Sequence, residues 1–237
     1  MKMRKTTAII LAAGQGKRMN SAVQKQYLLI AGKPVLYYSL KAFEESLIDD
    51  IVLVAGKGEI DFCQKEIVEK YGISKVRTVT AGGKERYHSV AYGLAAVKWD
   101  CDYVFIHDGA RPFINASIIE RAFLCVQETA ACVVGMPVKD TIKLADKDGY
   151  VESTPNRSNV WQIQTPQVFE KKLIATAYEK LIAQEKQLDA ANVSITDDAM
   201  VVEYFMRKPI KLIEGSYENI KITTPEDLKM AELFLNV

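Results

Sequence analysis

Apolar runs that alternate with amphipathic segments constrain this chain most. Thr6–Ala12, Ile51–Ala55, Val76–Thr80, Tyr103–His107 and Ala131–Pro137 read as strands. Between them, Pro34–Glu45, Glu59–Tyr71, Ser89–Lys98 and Asn115–Thr129 read as helices, the last with Ile118, Ile119, Ala122, Phe123 and Val126 on one face. Strands that are apolar throughout must be covered on both faces. Their alternation with helices therefore predicts an α/β fold: a Rossmann-like, mostly parallel sheet flanked by helices. At 237 residues the chain suits one large domain, residues 1–237.

The alternation breaks over 138–157. This polar stretch carries the turn signal Asp146-Lys147-Asp148-Gly149 between Thr141–Leu144 and Tyr150–Ser153, which read as the arms of a protruding β-hairpin. Farther on, Glu170–Gln184 and Asp197–Tyr204 read as helices and Ile210–Glu214 as a strand. A final helix begins at Thr224-Pro225-Glu226-Asp227, where Thr caps, Pro suits the first turn and the acids face the positive end of the helix dipole.

The first strand runs into Leu11-Ala12-Ala13-Gly14-Gln15-Gly16-Lys17-Arg18-Met19, with Lys25 close behind. Glycines let main-chain N–H groups approach a phosphate, and Lys and Arg supply the charge a polyphosphate needs. The segment is not a Walker loop, because Arg18 stands where Ser or Thr is required. Nor is it a dinucleotide fingerprint, because Met19 fills the third small position, which argues against a dinucleotide-dependent oxidoreductase.

Further clusters fall at other junctions. Gly82-Gly83-Lys84-Glu85-Arg86-Tyr87-His88-Ser89 offers main-chain donors and a hydroxyl to a base or ribose, or forms a plain glycine turn. In His107-Asp108-Gly109-Ala110-Arg111-Pro112, Asp108 at a strand's carboxyl end suits Mg²⁺ or a ribose hydroxyl; Arg111 suits a carboxylate partner and His107 a structural role. Asp140-Thr141 and Lys143 stand at the root of the hairpin. Arg157 suits a phosphate monoester, whereas Trp161 reads as core. Lys221 lies in a strand-like alternation, Asn219–Thr223.

Composition excludes several classes. The net charge of +1 lacks the basic excess of a general nucleic-acid binder. No apolar run reaches the roughly 18 residues needed to span a bilayer. Cys63, Cys101, Cys125 and Cys132 form no Cys-x-x-Cys pair, and His88 and His107 are the only histidines. Free thiols in a reducing, cytoplasmic setting follow.

Taken together, the motifs resemble a known family. Leu11-Ala12-Ala13-Gly14-x-Gly16-x-Arg18-Met19 with Lys25-Gln26-Tyr27 resembles the nucleotidyltransferases that activate sugars and polyols. The ordered set His107–Pro112, Asp140–Lys143, Thr165-Pro166-Gln167, Thr196–Ala199 and Asn219–Thr223 is similar to the 2-C-methyl-D-erythritol 4-phosphate cytidylyltransferases. That resemblance implies transfer of cytidylate from CTP, a divalent cation such as Mg²⁺, and a homodimer embraced by the 138–157 arm. It implies that Arg18 and Lys25 stabilise the CTP α-phosphate, and that Arg157 and Lys221 position the attacking phosphate. Ala12, Ala13, Gly14, Gly16 and Lys17 would line the CTP site. Gly82, Gly83 and Ser89 would read cytosine; Asp108 and Gly109 would hold the ribose and the metal region. Thr141, Thr165 and Thr196 would contact the acceptor or shape its pocket. Gln24 stands where the family often has Pro. Ribitol 5-phosphate cytidylyltransferase shares this chemistry, and a non-catalytic nucleotide-binding regulator is the alternative of another class.

Overall fold

A computed structural model describes residues 4–14 and 23–235. The strands are β1 (Thr6–Ala12), β2 (Leu29–Ile30), β3 (Lys33–Pro34), β4 (Asp50–Ala55), β5 (Val76–Ala81), β6 (Tyr103–Asp108), β7 (Ala131–Pro137), β8 (Leu144–Ala145), β9 (Val151–Ser153), β10 (Trp161–Glu170) and β11 (Lys211–Glu214). The helices are α1 (Val35–Glu44), α2 (Ile60–Phe62, wound on as a π-helix over Cys63–Glu69), α3 (Arg86–Ala96), α4 (Ala116–Thr129), α5 (Lys171–Ala190), α6 (Asp198–Met206) and α7 (Pro225–Phe234).

Seven strands form one sheet in the order β11-β7-β10-β6-β1-β4-β5. All pairings are parallel except those of β10, which runs antiparallel to both β6 and β7. The predicted α/β class and its mostly parallel sheet are thus observed. Side-chain alternation divides the core into two layers. Ala8, Ile10, Leu53 and Phe105 pack on α1 and α4, while Ile9, Val54, Val104 and Ile106 pack on α3, α5 and α6. A smaller cluster seats α7 on Ile30, Val35 and Ile222.

Register levels the strand ends. Leu11 pairs with Asp108, Ala12 with Ala55, and Ala55 with Ala81. The carboxyl ends of β1, β4, β5 and β6 therefore share one edge, where open α/β sheets bind ligands.

The structure corrects several sequence expectations. β10 is a strand that no sequence pattern announced; its Gln-rich run and Pro166 hide a strand whose register shifts between Ile163 and Gln167. Helix α3 starts at Arg86, three residues before the expected Ser89, because Glu85 and His88 form a reciprocal cap with a His in the position usually held by Glu or Gln. Asn219–Thr223 is irregular chain, not strand. Trp161 is half-exposed at the sheet edge opposite Pro137, not core.

The hairpin exists in a shorter form: Leu144 faces Ser153 and Ala145 faces Val151, while Thr141–Lys143 stay unpaired. Asp146 organises its turn, its carboxylate accepting from the Asp148 and Tyr150 amides at 2.9 Å each. Because β10 runs against β7, both feet of the hairpin, Pro137 and Trp161, stand on the carboxyl edge that carries the other junctions.

Candidate active site

A cleft of about 610 Å³ opens at this edge. Leu11, Ala13 and Gly14 line it from the end of β1, Lys25 and Gln26 from the following turn, and Gly83 to Arg86 with Ser89 from the start of α3. Asp108 and Ala110 close the floor, and Lys221 reaches in from the chain before α7.

Asp108 is the electrostatic centre. Its Oδ2 lies 2.7 Å from Lys221 Nζ and 3.8 Å from Arg111 Nε, and its Oδ1 lies 3.5 Å from Arg86 Nε. Burial alone would push this carboxyl up. The charges of Arg86, Lys221 and Arg111 overrule that and hold it well below the usual carboxylate range. Three cations against Asp108 and, behind Arg86, Asp198 leave the cluster with an excess of positive charge that favours an anionic ligand.

Each cation is held from behind. Arg86 gives both terminal nitrogens to Asp198, at 2.7 and 2.8 Å; Asp198 is fully buried and also accepts from Tyr178 at 2.5 Å. Such a bidentate pair fixes the guanidinium plane and leaves only Nε to face Asp108. Arg111 donates to the Asn219 carbonyl at 2.8 Å. Asn219 is itself fully buried and donates to Gln164 and to the Thr165 carbonyl. With the Ile222 amide bonded to the Ala110 carbonyl at 2.8 Å, these contacts pin both flanks of Lys221. The lysine consequently points inward, although its sequence context resembles a solvent-facing strand.

Beneath the floor, the Asp108 amide donates to Thr165 Oγ1 at 3.1 Å, and that hydroxyl meets His107 Nδ1 at 3.0 Å. His107 Nε2 faces the Arg111 carbonyl at 3.2 Å. A carbonyl can only accept, so this network assigns the imidazole proton to Nε2 and leaves Nδ1 to accept from Thr165. Gly82 is required by closeness, because a Cβ there would lie 2.3 Å from the Ala13 Cβ and 2.8 Å from Ser89 Oγ. Ser89 Oγ accepts from the Gly83 amide at 3.1 Å, which stitches the start of α3 to the turn before it.

The structure thus gathers Ala13, Gly14, Lys25, Gly83, Ser89, Asp108 and Lys221. Ala12 contributes a carbonyl held by Gln26, and Gly109 binds its amide to the Leu11 carbonyl at 2.8 Å. Thr165 is buried and shapes the floor without facing the cleft. Thr141 and Arg157 are exposed at the hairpin and its base, and Thr196 is exposed beside Met200; none of the three lines the cleft. Gly16, Lys17 and Arg18 lie outside the described residues. Arg86 and Gln26 line the cleft as well, and Asp198 supports it from within. Arg86 had a readable signal, as a cation at the mouth of a glycine turn, but its partner Asp198 is 112 residues away.

Burial, only partly offset by Asp108, pulls the His107 imidazole down to about 4. A folded-state value below the unfolded one, about 6.5, means the unfolded chain takes up a proton that the native fold refuses. Stability is therefore lost as pH falls from about 6.5 towards 4, by up to about 3 kcal/mol from this group. Heteronuclear NMR titration checks this: native His107 should stay neutral and Nε2-protonated at pH 6, and titration at or above its ordinary value would contradict the assignment.

Comparison with known proteins agrees with this geometry. Residues 6–237 match the family described as IspD, 2-C-methyl-D-erythritol 4-phosphate cytidylyltransferase. A relative of that name from Lachnoclostridium phytofermentans is 53% identical over 233 residues, covering 98% of this chain and 97% of that one. Another from Lachnospira eligens is 50% identical, covering 97% and 98%. The crystal structure of a 4-diphosphocytidyl-2C-methyl-D-erythritol synthase from Anaerococcus prevotii superposes with a TM-score of 0.85 at 37% identity, over 99% of this chain and 97% of that one. With a glycine turn, Lys25, Asp108 and Lys221 meeting in one cleft and a match over nearly the whole chain, this protein belongs to the 2-C-methyl-D-erythritol 4-phosphate cytidylyltransferase family.

Proposed function

We propose that the chain transfers the cytidylyl group of CTP to 2-C-methyl-D-erythritol 4-phosphate, giving CDP-methylerythritol and pyrophosphate in non-mevalonate isoprenoid precursor synthesis. The observation that carries this reading is the cation-rich floor around Asp108, set beside the glycine turn in a chain of this family. An acceptor phosphate oxygen attacks the CTP α-phosphorus, the α–β bridging bond breaks, and pyrophosphate leaves. The attacking oxygen is already anionic, so no strong general base is required. The work is to bring two anions together and to stabilise added charge at phosphorus, by positioning and preorganised electrostatics.

In this reading Lys25 and Arg18 stabilise the α-phosphate, with Lys17 beside them. Ala12, Ala13, Gly14 and Gly16 line the CTP site; Gly82, Gly83 and Ser89 receive the base, and Asp108 and Gly109 the ribose. Lys221 and Arg157 take the acceptor phosphate, with Thr141 and Thr196 towards its polyol and Thr165 supporting the floor. Among the described residues no cluster of three His, Cys, Asp or Glu could hold a metal. Asp108, the residue the resemblance offers to an ion such as Mg²⁺, is already engaged by Lys221, Arg111 and Arg86, so such an ion would be held mainly by the triphosphate it arrives with, whose charge it would neutralise.

The hairpin is the proposed homodimer arm. It exposes Leu144, Tyr150 (74% accessible) and Val151, apolar side chains that favour a partner surface. The cytoplasm is the proposed place of work; no helix among the described residues is long and apolar enough to cross a membrane.

Pyrophosphate release from CTP and Mg²⁺ tests the reaction, with 2-C-methyl-D-erythritol 4-phosphate and ribitol 5-phosphate in parallel. Release with the first alone is expected; release with ribitol 5-phosphate alone overturns the acceptor, and silence with both overturns the reaction. Arg18→Ala or Lys25→Ala should lower turnover about 10²–10³-fold, as loss of one preorganised donor does. Sedimentation of a Leu144→Asp/Val151→Asp variant should show a monomer where the parent sediments as a dimer; an unchanged dimer excludes the arm.

A further inference from the structure

Lys25 has a long, flexible side chain, so the backbone beneath it decides where its ammonium can reach. That backbone is a single 3-10 turn, Lys25–Tyr27, just after residues 15–22. Three side chains beside Lys25 are each tied to the carboxyl edge of the sheet. Gln26 is 1% exposed, and its amide nitrogen donates to the Ala12 carbonyl at 2.6 Å and to the Gly14 carbonyl at 3.2 Å. It thereby joins the chain before residues 15–22 to the chain after them. Gln24 donates to Glu59 Oε1. Tyr27 donates to Glu59 Oε2 at 3.0 Å, and its ring packs edge-on against Phe62 with centroids 5.0 Å apart.

Glu59 is itself seated. Its Oε2 accepts from the Gly56 amide at 3.2 Å, and a Cβ at Gly56 would lie 2.3 Å from that oxygen. The carboxylate can fold back over the end of β4 only because residue 56 is glycine. Burial, with Cys63 and Glu59 as neighbours, pushes the Tyr27 hydroxyl far up, so it remains a donor.

We infer that Glu59, Gln24 and Gln26 are positioning residues for the transfer reaction, forming a clamp that fixes the backbone of Lys25 relative to the cleft floor. The inference rests on the role proposed for Lys25. Two of the clamp's anchors are main-chain carbonyls at the exit of β1 and the third is a carboxylate at the exit of β4, adjacent strands of the rigid sheet. They hold the turn from two sides. Gln24 has φ −66° and ψ 143°, the angle at which a proline ring locks φ. A ring there should fix the backbone by a different physical route from the Glu59 hydrogen bond.

Steady-state kinetics with CTP, Mg²⁺ and the polyol phosphate, alongside thermal unfolding, tests the clamp. Gln26→Leu and Gln24→Ala should each lower kcat about 10- to 100-fold, as a misplacement near 1 Å does, with KM for the acceptor and the melting temperature little changed. Gln24→Pro should recover most of the kcat lost in Gln24→Ala. Placed on Lys25→Ala, Gln26→Leu should cost less than about twofold more, because residues acting through one group are not additive. The clamp is overturned if both single variants keep parental kcat, if Gln24→Pro is as poor as Gln24→Ala, or if the losses add fully on Lys25→Ala. Parental turnover in Lys25→Ala itself would instead remove the role of Lys25, and the clamp with it. Should Gln26→Leu fail to fold, the Gln24 pair decides alone.

Discussion

A carboxylate buried at the end of a central strand cannot stay ionised without nearby positive charge, and much of the site follows from how Asp108 meets that condition. Its three cations come from three separate places: Arg86 from the start of α3, Arg111 from the turn after β6, and Lys221 from the chain before α7. Arg86 and Lys221 are drawn in from distant parts of the chain, so the ion cluster fastens the carboxyl edge while Arg86, Asp108 and Lys221 line the cleft. Of these cations, Lys221 reaches into the cleft and can turn to an incoming anion, while Arg86 and Arg111 stay fixed by Asp198 and Asn219, so the floor is organised before any substrate arrives.

That organisation reaches into the core. Arg86 is oriented by Asp198 at the start of α6, and Asp198 by Tyr178 of α5. Asn219, buried beside β10, carries the segment that presents Lys221. These hydrogen bonds link the layer of α3, α5 and α6, and the segment before α7, to one edge of the sheet. The antiparallel β10 has a central part, supplying Thr165 beneath Asp108 and Gln167, which donates to Asp197 and accepts from the Ala199 amide at the head of α6.

Much of this was legible in the residues. Continuous apolar runs revealed β1, β4, β6 and β7, because strands covered on both faces leave no room for polar alternation. The glycine turn, Lys25 and Asp108 were visible as chemistry placed at strand ends. β10 was not visible, since Gln162, Gln164 and Gln167 are polar for reasons of partner and edge that only the assembled sheet supplies. Lys221 looked solvent-facing because its direction is set by Asn219 and Ile222, whose partners Thr165 and Ala110 are more than fifty residues distant. Long-range partners also explain why Arg86 passed unnoticed. Gln24, seen in the sequence as a departure from the family pattern, finds a partner in Glu59.

One buried negative charge organises the cleft, and Asp108→Asn tests this most directly by removing the charge at nearly constant size. On protein whose near-UV circular dichroism matches the parent, kcat/KM for CTP should fall about 10²-fold or more. A folded Asp108→Asn enzyme whose kcat/KM stays within about threefold of the parent would contradict it, because the cations would then be held in place without the carboxylate.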